Sequence, residues 1–232
     1  MADSNFNIQI LYEDNHLLVV EKPVNILMQA DDTNDQDLLK ILKQYLVEKY
    51  HKPGDAFLGL VHRLDRPVGG VVVFAKTSKA ASRLSNQIRL NKMHKTYLAV
   101  VTGEPESSRA TLRDYLYKDS ATNTVTVVNP LHDDAKEAIL RYQVLADQNG
   151  LSLVQIELVT GRPHQIRVQF ASRNHPLWGD QRYNKQAVTG QQIALWAASL
   201  SFIHPTTLEP LSFTLATPDR FPFNQFTQKR PE

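Results

Sequence analysis

Asn149-Gly150 constrains this chain more than any other pair of residues. It lies between two runs rich in β-branched and aliphatic residues, 138–145 and 151–159. A two-residue hairpin loop needs two consecutive positive φ angles, and Asn followed by Gly reaches them at least cost. The spacing therefore predicts an antiparallel hairpin, and with it a sheet into which the other extended segments must fit. Residues 8–12 and 17–20, split by the turn-like Glu13-Asp14-Asn15-His16, predict a second hairpin. Residues 71–75 read as a buried strand, and 95–102, 124–128, 195–203 and 210–215 as further strands. In the strand at 95–102, Lys95 and Tyr97 project to one face.

Two helices are expected. One starts near Asp37, with Leu38, Leu39, Leu42, Tyr45 and Leu46 along one side, and closes at 51–54. The other is capped by Thr77 and runs to about Leu90 on a stripe of Ala80, Ala81, Leu84 and Ile88. The fold class is α+β, a mostly antiparallel mixed sheet flanked by helices. Residues 104–134 are polar apart from 124–128 and are expected to form an irregular insertion, and 218–232 a proline-rich tail strapped over the surface. Residues 163–170 are ambiguous, because they alternate like a strand while Ile166 and Phe170 are four apart. Pro163 suits a first helical position and Asn174-His175-Pro176 a stop, so a helix is expected. Arg167 would then lie near a positive helix terminus, aimed with free backbone N–H groups at an anion.

The 232 residues fit a single domain, 1–232, with enough chain for a core. No cysteine is present, which excludes disulfides and thiolate metal sites and fits a reducing, cytoplasmic setting. No apolar run approaches the ~20 residues that span a bilayer, and the N-terminus lacks a secretion signal. Net charge is only +2. Its distribution says more: residues 1–60 hold 5 Lys/Arg against 10 Asp/Glu, 61–95 hold 8 against 1, and 160–185 hold 5 against 1. Basic charge so concentrated suits a polyanion, although a solvated helix face would also explain Lys79, Arg83 and Lys92. The acidic first 60 residues are not expected to form a separate basic module.

The single acid of the first basic segment is Asp65, set between Arg63 and Arg66 and followed by Pro67 and Gly69-Gly70. Proline and the glycine pair make this a rigid turn presenting a carboxylate. By itself it could equally be a surface turn with an ordinary ion pair.

His62-Arg63-Leu64-Asp65-Arg66 with Gly70 resembles the active-site signature of the RluA-type RNA pseudouridine synthases. Lys95-Thr96-Tyr97, the run from Gly161 to Arg167, and the run from His175 to Asp180 resemble further family motifs in the same order. Lys22-Pro23 resembles the family's opening segment. Val68-Gly69 departs from it, standing where the family usually has Thr-Ser and so removing two hydroxyls. The resemblance implies that Asp65 is the nucleophile, that Tyr97 stacks on the target uracil, and that Arg167 pairs with Asp65. It implies that Arg63 fills the space left by the everted nucleotide, and that His62, Arg66, Lys95, Arg162 and His164 bind substrate.

Converting uridine to pseudouridine breaks the N1–C1′ bond, turns the uracil and rejoins it through C5. No redox cofactor or metal is required, and the eight histidines form no ligand motif. A carboxylate can attack or support an electron-poor sugar centre, and an adjacent guanidinium would favour its ionised form. Attack at C1′, attack at C6 and elimination stay open. The implied partner is ribosomal or transfer RNA, met by a monomer with no membrane association. Two other readings compete. A nucleoside or glycosyl hydrolase would want a second carboxylate, for which Asp180 alone is available in the basic segments. A non-catalytic RNA-binding domain would not need Asp65.

Overall fold

The computed structural model describes residues 8–33 and 35–226. They form two compact units, one from the residues through His94 together with Ser199–Leu215, the other from Lys95–Ala198 together with the residues from Ala216 onward.

In the first unit, β1 (Gln9–Glu13) and β2 (Leu17–Lys22) make the expected hairpin. β2 pairs antiparallel with β4 (Gly69–Ala75), which also takes the two-residue β3 (Gly59–Leu60). All seven residues of β4 are buried. On one face Val71, Val73 and Ala75 pack in a cluster with Ala80 and Leu84 of the following helix. α1 (Leu38–Lys49) is capped by Asp37, whose carboxylate accepts Lys40 N–H at 2.9 Å, and it buries Leu38, Leu42 and Leu46 at four-residue spacing. α2 (Ser78–Arg89) is capped by the Thr77 hydroxyl and buries Ala80 and Leu84 in a cluster with Leu17, Val19, Val71, Val73, Leu200 and Phe202.

In the second unit, β5 (His94–Thr102), which enters it at Lys95, pairs with β9 (Leu151–Leu158). β9 pairs with β8 (Lys136–Gln148), β8 with β6 (Arg109–Asp119) and β6 with β7 (Thr124–Val128), all antiparallel. Asn149 and Gly150 both have positive φ, 54° and 71°, as the hairpin between β8 and β9 requires. The expected irregular insertion is corrected here: within 104–134 lies β6, eleven residues long. Only its Leu112 and Leu116 are buried, so its apolar positions recur at four rather than two and the alternation is hidden.

α3 (Gln165–Ala171) settles the ambiguous segment as a helix of seven residues. Its start differs from expectation. His164, at φ 50°, is the flanking residue, and Pro163 lies outside. Gln165 N–H donates to the Arg162 carbonyl, so one N–H group of this short terminus is already engaged. Val168 packs with Leu116, Val125 and Ala138, and Phe170 meets Tyr142 edge-on at 5.3 Å.

β10 (Leu195–Ile203) begins in the second unit and ends in the first, where β11 (Pro210–Thr214) pairs with it antiparallel. The part of the tail foreseen as a surface strap that is described buries Phe223 completely, and residues 227–232 lie outside the described part. No helix among the described residues is long and apolar enough to cross a membrane.

Candidate active site

In the first unit the Asp65 segment is a turn closed by Val68 N–H donating to the Asp65 carbonyl at 3.0 Å. Leu64 and Val68 anchor it, at 7% and 2% exposure, while Asp65 is half-buried and Arg63 exposed. Val68 thus uses the position of one missing hydroxyl as an apolar anchor. Gly70 has φ 124°, a region closed to other residues, and lies opposite Lys22 in the β2–β4 ladder.

Beneath the turn lies a group that was read from sequence only as part of a Lys-Pro opening. Lys22 is fully buried, and its ammonium donates to the carbonyls of Val68 at 2.7 Å, Arg66 at 3.0 Å and Pro23 at 3.1 Å. All three of its N–H bonds are therefore directed at backbone that holds the turn. Burial pulls its pKa down from 10.5 to about 7; the Asp65 carboxylate acts upward and Arg66 downward. An unfolded lysine keeps its proton to about 10.5, so between about pH 7 and 10.5 the folded state binds fewer protons and Lys22 makes stability rise with pH. We expect urea unfolding of the unsubstituted protein to gain on Lys22→Met between pH 7 and 9. A constant difference would show that Lys22 does not titrate in that window.

His62 accepts Val73 N–H through Nε2 at 3.1 Å, which fastens the start of the motif to β4. Arg66 pairs with Asp35 at 2.7 Å and donates from Nε to the Asn25 carbonyl at 3.3 Å. These contacts make both residues braces of the turn as well as binding candidates.

The second unit carries the other set. Tyr97 is 7% exposed on β5, opposite Ile156. Burial lowers the pKa of the neighbouring Lys95, and a Cβ on Gly161 would lie 3.7 Å from the Lys95 ammonium. Arg162 donates from Nε to the Glu137 carbonyl at 2.8 Å. The Gln165 side-chain oxygen accepts from the Thr160 hydroxyl and from Arg162 N–H, tying the loop before α3 to its first turn.

Arg167 is 6% exposed, and its guanidinium forms a two-point ion pair with Asp180, Nε to Oδ2 at 2.8 Å and Nη2 to Oδ1 at 2.7 Å. Asp180 Oδ1 also accepts the N–H groups of Arg182 and Tyr183, so one carboxylate closes a turn and orients a guanidinium. The Tyr183 ring lies under that guanidinium, 5.2 Å from its carbon. The Tyr183 hydroxyl accepts Val125 N–H at 2.9 Å and stands 2.7 Å from Nδ1 of His164. Burial raises the Tyr183 pKa. Gly179 makes the turn possible: its φ is 71°, and a Cβ there would fall 2.7 Å from the Gln192 carbonyl. Trp178 N–H donates to the Val100 carbonyl, which fixes the segment to the strand that carries Tyr97.

Sequence reasoning singled out neither Lys22 nor Tyr183 as a site residue, and took Asp180 as the end of a family-like run and as a possible second acid, without a role at the site. The available signals were a charged residue before proline and a Gly-Asp pair three residues before a tyrosine.

Residues 16–172 match the RNA pseudouridylate synthase family, to which the chain belongs. It is 34% identical over 205 residues to the uncharacterized RNA pseudouridine synthase YhcT of Bacillus subtilis, covering 87% of this chain and 66% of that protein. It is also 34% identical over 209 residues to ribosomal large subunit pseudouridine synthase C of Vibrio vulnificus, covering 87% of this chain and 63% of that one. The chain thus spans a little under two thirds of the length of these relatives. The fold is that of the pseudouridine synthases: human RNA pseudouridylate synthase domain containing 4 aligns with TM-score 0.75 at 22% identity, over 90% of this chain and 88% of that one.

Proposed function

We propose that this protein converts uridine to pseudouridine in ribosomal or transfer RNA, with Asp65 as the nucleophile. The observation that carries the reading is the half-buried Asp65 on a turn fastened from below by the Lys22 ammonium, in a chain of this family. Relatives named as ribosomal large subunit pseudouridine synthases support ribosomal RNA as substrate. The likeness of the run from Gly161 to Arg167 to a family motif assigns Arg167 the role of orienting the catalytic carboxylate, and within its own unit the Asp180 and Tyr183 contacts hold that guanidinium in one plane. Tyr97 stacks on the everted uracil. Lys95, Arg162, His164, His62 and Arg66 bind the surrounding RNA. The reaction needs no external donor or acceptor of electrons, since every atom of uridine is kept.

Incubation with transcribed ribosomal and transfer RNA tests the reading. Pseudouridine in the digested product supports it, while free uracil would establish hydrolysis and unchanged uridine would leave a binding protein.

Arg63 has no hydrogen-bond or ion-pair partner among the described residues, and a planar cation can stack where a base has left. Eversion from a helix costs a few kcal/mol. Arg63→Ala should therefore slow turnover on a folded RNA more than on a relaxed single strand of the same sequence. Equal losses on the two would refute base replacement.

A further inference from the structure

We propose that a groove in the first unit, between the end of α2 and the β10–β11 hairpin, binds substrate RNA outside the target nucleotide. This rests on the proposed RNA-modifying function and adds a second contact region to it. The groove has a volume of about 630 Å³, within the ~300–1,000 Å³ typical of ligand sites. Asn91, Lys92 and His94 line one side, and Ile203, Pro210 and Leu211 give it an apolar floor.

The walls are set. Gln87 on α2 exchanges two hydrogen bonds with the backbone of Ile203, at 2.7 and 2.9 Å, and Arg83 donates to the Pro205 carbonyl at 2.6 Å. Asn91 turns the chain at φ 53°, which brings Lys92 and His94 to the rim.

Charge identifies the occupant. From Arg66 to Gly103 the chain has seven Lys/Arg and no Asp or Glu. Within that stretch Arg66 and Lys76 are neutralised by Asp35 and Glu13, as Lys43 is by Asp55, Lys49 by Glu13 and Arg173 by Asp114 outside it. Lys92 and His94 are exposed and have no side-chain hydrogen bond or ion pair among the described residues. An unneutralised cation beside a shallow apolar floor matches one nucleotide of a polyanion, with the phosphate on Lys92 and the base against Pro210, Leu211 and the His94 ring.

The test uses the full chain and the transcript, ribosomal or transfer, on which it makes pseudouridine. Binding is followed over a range of salt concentrations, and kcat and KM are measured separately. Lys92→Ala should lower the slope of log affinity against log salt by about 0.7–0.9 and raise KM about threefold to fivefold, with kcat unchanged. His94→Ala should raise KM without changing the slope. Lys52→Ala, which removes an exposed charge elsewhere in the same unit, should do neither. Normal pseudouridine formation with unaltered slope and KM in both groove variants would overturn the groove while leaving the proposed function standing. Failure of the unsubstituted protein to bind RNA would overturn both. Dimerisation in solution that is lost on Leu211→Glu would assign the face to a second copy of the chain and refute the RNA assignment.

Discussion

Asp65→Asn is expected to abolish pseudouridine formation, by at least about 10³-fold, while RNA affinity is kept. The carboxamide has nearly the same shape, and the bond that closes the turn comes from the Asp65 backbone carbonyl, which the substitution leaves in place. Leu64 and Val68 keep the segment anchored. The change therefore removes a negative charge and a nucleophilic oxygen without removing the turn. One side effect can be followed separately. The Asp65 carboxylate raises the Lys22 pKa against the larger effect of burial, so its loss should move that pKa further below about 7. The pH at which stability begins to rise should shift downward in the variant. Substantial turnover by Asp65→Asn would refute the nucleophile assignment. Lost RNA binding together with lost turnover would show that the turn itself had failed.

How far the chain could be read from sequence depended on whether a pattern was local. The β8–β9 hairpin was legible because two residues, Asn149 and Gly150, determine it. α2 was legible because cap, stripe and end follow one another within fourteen residues. β6 was not: Arg109, Thr111 and Arg113 face solvent along it and only Leu112 and Leu116 are buried, a spacing that resembles a polar loop. The site divides in the same way. Asp65 stood out because a lone acid among bases is visible in ten residues. Lys22 did not, since a lysine before proline at a strand end is ordinarily exposed. Its burial depends on turn carbonyls 44 and 46 residues further along the chain. The Asp180–Arg167 pair spans 13 residues and needs Gly179 in a left-handed conformation, and nothing in the spacing announces either.

That pair makes the second large prediction. Asp180 has no exposed side-chain surface, and each of its oxygens receives a guanidinium N–H. Arg167→Ala would leave a buried carboxylate without its two-point cation, and Asp180→Asn would take from a buried guanidinium the carboxylate that receives two of its N–H groups. Breaking a buried pair from one side typically costs about 3–5 kcal/mol, so both should unfold earlier in urea and both should lose activity. Neither result alone separates catalysis from folding. Replacing both partners together does, because exchanging a buried pair for apolar residues of similar volume is often neutral or stabilising. Arg167→Met with Asp180→Leu should therefore recover much of the lost stability, yet make no pseudouridine. Arg167→Lys adds a finer test: it keeps one charge but loses the two-point geometry and the planar face over Tyr183, so kcat should fall far more than KM rises. Activity that returned with stability in the double variant, or a lysine enzyme near the original kcat, would reduce Arg167 to a structural brace.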